Sequence, residues 1–151
     1  RPLELKKLMN KKISELSGGE LQRVAIAECI AREADLYLLD EPSAYLDVEQ
    51  RMAVSRIIKE MTERRQRSCL VVDHDLLFID NVSDRLMVFD GVPAKNGICE
   101  GPFSMAEGMN RFLKKVGITM RRDVESQRPR INKPDSRLDI GQKESGRLYY
   151  G

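Results

Sequence analysis

The 151-residue chain contains no tryptophan, a single histidine and three cysteines, and aromatic residues make up only 5% of it. Cys29, Cys69 and Cys99 are too few and too scattered for a disulfide framework, and their spacing is unlike that of metal ligands. A reducing, cytoplasmic setting is therefore expected. No apolar run approaches the roughly 20 residues of a membrane-spanning helix, and we expect neither a membrane span nor a signal peptide.

Charge is distributed unevenly along the chain. Residues 1–110 carry 15 basic and 19 acidic side chains, a net charge of −4, whereas residues 111–151 carry 11 and 5, a net charge of +6. An acidic body with a basic tail is typical of a segment that binds nucleic acid or an acidic partner. A solvated tail without a partner gives the same pattern, and charge alone does not separate the two interpretations.

Apolar runs alternate with helical patterns over the first 91 residues. Runs at 36–39, 69–72 and 85–89 predict buried strands, and each is followed by a polar or acidic residue. Helices are expected between these strands, the first of them from Ser17 to about Arg32. This order predicts an α/β fold of parallel βαβ units, with polar residues at the carboxyl edge of the sheet, where α/β proteins bind ligands.

The pattern changes after Gly91. The glycines and proline at 97–102 predict loops, and residues 104–115 predict one further helix. From Arg121 onward the chain is basic and interrupted by proline, so we expect it to be extended against a partner or disordered. The predicted organisation is an α/β body at residues 1–101, followed by a helix and basic tail at residues 102–151.

Leu16–Glu20 reads Leu-Ser-Gly-Gly-Glu at the start of the first predicted helix. Its two glycines leave backbone N–H groups unshielded where the helix dipole is positive, an arrangement that favours a bound phosphate. Ser17 can add a hydroxyl donor. The same residues fit a capping box between Ser17 and Glu20 that needs no ligand, and the motif alone favours neither interpretation.

Three further candidate residues follow predicted strands. Asp40 and Glu41 end the first strand, and in phosphoryl transfer one acid at such a position holds Mg²⁺ while another group orients the attacking water. We assign Mg²⁺ to Asp40, through water, and polarisation of the attacking water to Glu41. His74, after the second strand, can donate to a phosphate oxygen or to that water. Taken singly, each is better explained as a solvated or structural side chain.

In their order and spacing, these motifs resemble the second half of an ATP-binding-cassette (ABC) ATPase domain, which has a RecA-like P-loop fold with parallel strands. The resemblance identifies Leu16–Glu20 with the signature motif, Leu36–Glu41 with the Walker B strand, Ser43–Asp47 with the D-loop and His74 with the switch histidine. Residues 1–101 would then be a partial ABC ATPase domain.

The resemblance implies that the site residues serve two different nucleotides. The residues that act on the ATP and Mg²⁺ of their own cassette would be Asp40, Glu41 and His74. The residues that face the γ-phosphate of ATP held by the opposite cassette would be Ser17, Gly18, Gly19, Glu20 and Asp47. The chain contains no G-x-x-x-x-G-K-[ST], so the phosphate-binding loop is expected before Arg1, and the chain alone is expected to be inactive.

A closer resemblance is to ABC subfamily E, the RNase L inhibitor family. It rests on the longer D-loop and on motifs at 88–93, 108–113, 121–123 and 128–133, and it extends to Tyr150. The family consists of ribosome-recycling ATPases of archaea and eukaryotes, with two cassettes and an N-terminal iron–sulfur domain. Here the cluster would lie upstream of Arg1.

That resemblance also implies the partners. Closure of the cassettes on ATP would split the ribosome into its subunits, so the partners would be the second cassette, a ribosomal subunit with its RNA, and translation factors, without a membrane. The tail residues expected to line the hinge between cassettes or to contact ribosomal RNA are Arg121, Arg122, Arg128, Arg130 and Lys133.

Three alternatives stay open at this point. The ATP-binding subunit of a membrane transporter shares the signature, Walker B and switch motifs. The ATPase head of a chromosome-maintenance or DNA-repair protein also joins a signature-bearing half to a separate phosphate-binding half. A non-catalytic segment whose basic tail binds nucleic acid is the third.

Overall fold

The computed structural model describes residues 3–125 and 128–150. The helices in these residues are α1 (Gly18–Ala31), α2 (Val48–Arg65), α3 (Leu76–Val82), α4 (Met105–Val116) and α5 (Arg137–Ser145), and 3₁₀ turns occupy Leu5–Leu8 and Ile13–Glu15. The strands are β1 (Leu36–Asp40), β2 (Ser68–Val72), β3 (Arg85–Val92), β4 (Asn96–Ser104), β5 (Met120–Arg122) and β6 (Pro129–Ile131). They form two compact units, one ending at Val82 and one beginning at Ser83. The division at residues 101 and 102 stays a prediction.

The first unit contains the parallel strand pair that the sequence predicts. β1 pairs with β2 in a register that places Leu36 opposite Ser68 and Asp40 opposite Val72. Because the strands are parallel, their carboxyl ends meet at one edge, and the residues that follow Asp40 and Val72 start from neighbouring points. The sheet geometry therefore brings Asp40 and Glu41, at the end of β1, and His74, after β2, to the same edge.

One face of this strand pair is buried in β1 and half-buried in β2, and the other face is exposed, which corrects the prediction of buried strands. Tyr37 and Leu39 of β1 are buried, whereas Leu36 and Leu38 are 52% and 64% exposed. Leu39 packs in one apolar cluster with side chains of both neighbouring helices: Ile26 of α1, and Val54 and Ile58 of α2. Within the described residues, α1 and α2 thus cover the same face, and the other face stays open.

Local side-chain bonds fix the helix starts. The predicted capping box of α1 is confirmed, because Ser17 N–H donates to the Glu20 carboxylate (2.9 Å) and Glu20 N–H donates to the Ser17 hydroxyl (3.3 Å). At α2, Gln50 N–H donates to the Asp47 carboxylate at 2.8 Å. α1 therefore begins where the sequence predicts, and Asp47 caps the start of α2.

The second unit differs from the predicted pattern. The run at 85–89 forms β3 as expected, but β3 continues to Val92 and pairs with β4 in an antiparallel hairpin instead of extending a parallel sheet. One of the glycines that predict a loop permits this pairing: a Cβ on Gly101 would lie 2.8 Å from the Leu86 carbonyl oxygen. Gly101 therefore marks a close contact between the strands, and residues 97–102 belong to β4.

The chain after α4 is folded, which corrects the expectation of an extended or disordered tail for its described part. The predicted helix at 104–115 is confirmed as α4, and β5, β6 and α5 follow it. The polar side chains there bond to one another: Thr119 donates to Asp139 at 2.7 Å, and Asn132 donates to Thr119 at 2.8 Å. The Lys143 ammonium, and next the Thr119 hydroxyl, hold the pKa of the Asp139 carboxyl below its usual value.

None of the described helices combines the length and the apolar character that crossing a membrane requires.

Candidate functional site

Glu41 lies in the turn after β1, at the carboxyl edge of the strand pair. Its φ angle of 45° is in the left-handed region, which a residue other than glycine adopts when its surroundings hold it there. Its N–H donates to the Val72 carbonyl at 2.7 Å. Its own carbonyl accepts from Ala44 N–H and from the Gln22 side chain of α1, both at 3.0 Å. The backbone of Glu41 is thus fixed from β2, from its own turn and from α1.

His74 lies beside Glu41. Its Nδ1 atom is 3.6 Å from Glu41 Oε1, and the two side chains are 72% and 56% exposed. The parallel register explains this proximity, because Glu41 and His74 follow two strands that end side by side. The structure therefore brings together a carboxylate and an imidazole that are 33 positions apart in the sequence, both open to an incoming ligand.

Asp40 is the last residue of β1, directly before Glu41, and its side chain is exposed at the same edge. Mg²⁺ in phosphate-handling sites commonly takes one or two protein carboxylates and completes its octahedron with water and phosphate oxygens. A single exposed carboxylate at a strand end fits that requirement. Within the described ranges, no three His, Cys, Asp or Glu side chains converge on a common metal position.

The two glycines in the first turn of α1 have a packing role besides any ligand. A Cβ on Gly19 would lie 2.7 Å from the Tyr45 carbonyl oxygen, and one on Gly18 would lie 3.3 Å from the Tyr45 ring. Tyr45 belongs to the D-loop, has a φ angle of 60° and is 80% exposed. The start of α1 therefore packs on the D-loop of the same chain, at a distance that only glycine permits.

The helix start also presents hydrogen-bond donors. The first N–H groups of an α-helix lack intrahelical acceptors, and at α1 these belong to Gly18, Gly19 and Glu20. The Glu20 N–H already bonds the Ser17 oxygen, and a hydroxyl that accepts such a bond can still donate its hydrogen. Ser17, Gly18 and Gly19 can therefore offer three donors to an anion, as the phosphate interpretation requires.

Glu20 places a negative charge beside this helix start, and Lys11 balances it. Lys11 Nζ lies 2.7 Å from Glu20 Oε1. The hydrogen bond from Lys11, and next the one from Ser17 N–H, lower the pKa of Glu20 from 4.5 to about 2. Glu20 is thus ionised at neutral pH and paired with a cation, so its charge opposes a nearby anion less than an unpaired carboxylate would.

Replacing Lys11 by methionine is expected to raise the pKa of Glu20 from about 2 toward 4.5. Because the pKa is depressed in the folded chain, the stabilisation from ionised Glu20 is complete above pH 4.5 and is lost as the pH falls through about 2. The Lys11→Met variant should lose it at a higher pH. Titration of the Glu20 carboxyl carbon by NMR measures this shift, and the exposed Lys6→Met serves as a control that leaves the pKa unchanged. An unaltered Glu20 pKa in Lys11→Met contradicts the assignment.

Asp47 already has a structural partner, since its carboxylate caps α2. The side chain is nevertheless exposed at the end of the D-loop. Its predicted position facing an opposite cassette stays a prediction, as do the nucleotide roles of the other site residues.

Sequence reasoning missed three residues that hold the site in place: Lys11, Gln22 and Asp73. Asp73 accepts from Ser43 and precedes His74 at a strand end, just as Asp40 precedes Glu41, and that parallel could have identified it. Gln22 offered no such signal, because its bond to the Glu41 carbonyl depends on how α1 packs. The bond from Lys11 to Glu20 could not be predicted either, because Lys11 lies in a segment without a periodic pattern.

The predicted tail residues lie in the second unit, and several have internal partners. Arg121 donates to the Asn132 side chain at 2.7 Å, and the Arg122 guanidinium lies 4.4 Å from the centre of the Tyr150 ring. Arg130 pairs with Asp123 at 3.3 Å. Arg128, Arg130 and Lys133 are exposed. The basic residues thus combine structural contacts with exposed positive charge.

Comparison with known proteins matches residues 2–44 to the ABC transporter family. The chain is 55% identical over 149 residues to an uncharacterized ABC transporter ATP-binding protein of Methanocaldococcus jannaschii, and 44% identical over 150 residues to the translation initiation factor RLI1 of Saccharomyces cerevisiae. Each alignment covers 99% of this chain and 25% of the relative, so the chain spans about a quarter of their length.

Comparison with solved structures finds proteins of the same group. The archaeal ribosome recycling factor aABCE1, in complex with the archaeal ribosomal stalk protein aP1, and an RNase-L inhibitor each match 99% of this chain at 59% identity with a TM-score of 0.91. The chain covers 29% of each of those chains. The confirmed α/β architecture with its parallel strands agrees with these neighbours. The chain is therefore similar to proteins of the ABC family, and it matches the RNase L inhibitor proteins along nearly its whole length.

Proposed function

We propose that this chain is part of a twin-cassette ATPase that couples ATP-driven cassette closure and hydrolysis to the splitting of ribosomal subunits. The observation that carries the ATPase part is the pairing of Glu41 with His74, 3.6 Å apart at the carboxyl edge of β1 and β2. The ribosomal part is supported by the match, over 99% of the chain, to a ribosome recycling factor.

The residues at the sheet edge act on the ATP of their own cassette. Asp40 would hold Mg²⁺ through water, and the ion would neutralise phosphate charge when bound. Glu41 accepts a hydrogen bond from the attacking water and, as general base, takes its proton as the water attacks the γ-phosphate. The fixed backbone of Glu41 keeps the carboxylate in one place. His74 donates to a phosphate oxygen or to the same water. The pair shares solvent-exposed space into which a nucleotide phosphate can enter.

The start of α1 serves the other cassette's ATP. Ser17, Gly18 and Gly19 donate to the γ-phosphate, Glu20 stands beside them with its charge balanced by Lys11, and Asp47 faces the same interface. ATP then joins two cassettes, and its hydrolysis releases them, a switch driven by contacts to the γ-phosphate.

The second unit supplies basic contacts. Arg121, Arg122, Arg128, Arg130 and Lys133 line the hinge between cassettes or contact ribosomal RNA. Exposed positive charge on Arg128, Arg130 and Lys133 supports this, and contacts with RNA phosphates weaken as salt increases. The proposal also includes translation factors as partners, a cytoplasmic location, and an iron–sulfur cluster outside this chain.

The 151-residue chain alone is expected to bind and hydrolyse little ATP, because it contains no G-x-x-x-x-G-K-[ST] to hold the phosphates. The whole protein should hydrolyse ATP and sediment with ribosomes. Hydrolysis is measured as phosphate release by both proteins under the same conditions, and co-sedimentation compares ribosomes with membranes. Robust turnover by the isolated chain contradicts the half-domain assignment. Partition of the whole protein into membranes instead of ribosomes favours a transporter subunit.

A further inference from the structure

Asp73 directly follows β2, and its carboxylate binds Ser43 of the D-loop. Its Oδ2 atom accepts from Ser43 N–H at 3.0 Å, and its Oδ1 atom accepts from the Ser43 hydroxyl at 2.8 Å. Ser43 is 1% exposed, so neither bond is readily replaced by water. Both oxygens of one carboxylate therefore hold a single residue of the loop that follows Glu41.

The same carboxylate shapes the chain around His74. Asp75 N–H donates to Asp73 Oδ1 at 2.9 Å, which closes a turn of the Asx type with His74 at its middle position. Asp75 in turn accepts from the Leu77 and Phe78 N–H groups at the start of α3 and pairs with Arg51 of α2. His74 thus sits in a turn that is anchored on both sides.

The contact between Asp73 and Ser43, which we call the clamp, lies close in sequence to both Glu41 and His74. Glu41 precedes Ser43 by two positions, and His74 follows Asp73 directly. Besides the clamp, a backbone hydrogen bond from Glu41 N–H to the Val72 carbonyl, at 2.7 Å, joins the two segments where the strand ladder ends. The Asp73–Ser43 contact is a second, charge-assisted fixation of the distance between the catalytic carboxylate and the imidazole.

We propose that Asp73 is a positioning residue for hydrolysis, which sets the geometry of Glu41 and His74 by clamping Ser43. This inference rests on the proposed function, because it concerns the efficiency of the same site. Asp73 does not touch the reacting atoms. Its role is to hold the Glu41 and His74 side chains at a fixed distance from each other, because a displacement of about 1 Å can lower a rate about 100-fold.

The test measures steady-state ATP hydrolysis by the whole protein. Asp73→Asn replaces one acceptor oxygen by a donor that faces Ser43, and is expected to lower kcat about 10- to 100-fold with KM for ATP unchanged within about twofold. Ser43→Ala, which removes only the hydroxyl, should lower kcat by a smaller factor. The double variant should be no slower than Asp73→Asn, because both changes remove the same contact.

A matched control is Glu63→Gln, which removes an exposed carboxylate from the last turn of α2 and should keep wild-type kcat and KM. Additive losses in the double variant overturn the inference. Wild-type kcat in Ser43→Ala also overturns it, and this result can be obtained even if Asp73→Asn fails to fold. A parallel fall of kcat and rise of KM in Asp73→Asn also overturns it. Failure of the proposed function gives a different result. The wild-type protein would then hydrolyse no ATP, or its hydrolysis would persist in Glu41→Gln.

Discussion

In the whole protein, Glu41→Gln is expected to keep ATP bound while hydrolysis falls about 100- to 10,000-fold, the contribution typical of a positioned general base. Glutamine has the size of glutamate but cannot accept a proton at neutral pH. Its backbone position should persist, because Gln22, Ala44 and Val72 hold the turn through main-chain atoms of residue 41. The loss should therefore appear in kcat, with the closed, ATP-bound form accumulating.

Two measurements check this result: the rate of ATP hydrolysis in a single turnover, and the amount of nucleotide that stays bound to the protein. Glu33→Gln is the matched control, since Glu33 is an exposed acid in the loop between α1 and β1. It should hydrolyse ATP at the wild-type rate. Wild-type turnover in Glu41→Gln would remove Glu41 from its role and leave the proximity to His74 without a catalytic meaning.

Gly19→Ala is expected to disturb both the start of α1 and the D-loop. The added Cβ would lie 2.7 Å from the Tyr45 carbonyl oxygen, and because that atom is backbone, one of the two segments must shift. Overpacking of this kind costs about 1–3 kcal/mol. The displaced helix start should also lower ATP hydrolysis by the whole protein, since Ser17 and Gly18 would move with it.

Amide hydrogen exchange in the whole protein measures the local effect, with faster exchange expected in the first turn of α1 and in residues 41–47. Gly97→Ala is the control, because a Cβ at Gly97 meets no heavy atom within 4 Å. It should leave exchange and hydrolysis unchanged. Wild-type exchange in Gly19→Ala would mean that the close contact with Tyr45 does not constrain the signature motif.

Local signals in the sequence predict much of the first unit. Ser17 and Glu20 form a capping box within four residues, so capping rules locate the start of α1. The runs before Asp40 and Asp73 are apolar apart from one aromatic and one thiol side chain, so the hydrophobic pattern locates β1 and β2. The proximity of Glu41 and His74 follows from the parallel arrangement alone.

The features that the sequence does not predict depend on contacts between residues that are distant in the chain. The glycines at 97 and 101 have the same appearance in a loop and in a hairpin, and the pairing of β4 with β3 decides between them. The polar residues Thr119, Asn132 and Asp139 read as a solvated tail because their bonds to one another span up to 20 positions. The clamp of Asp73 on Ser43 spans 30 positions and depends on strand register.

The central claim is that Asp40, Glu41 and His74 form one wall of a nucleotide site whose phosphate-binding loop lies outside this chain. An experimental structure of the whole protein with Mg²⁺ and a non-hydrolysable ATP analogue tests it most directly. We expect Asp40 to lie beside Mg²⁺, with Glu41 and His74 at the γ-phosphate of the same cassette. We expect Ser17, Gly18 and Gly19 to lie at the γ-phosphate held by the opposite cassette. A nucleotide bound away from the Glu41–His74 pair would contradict it.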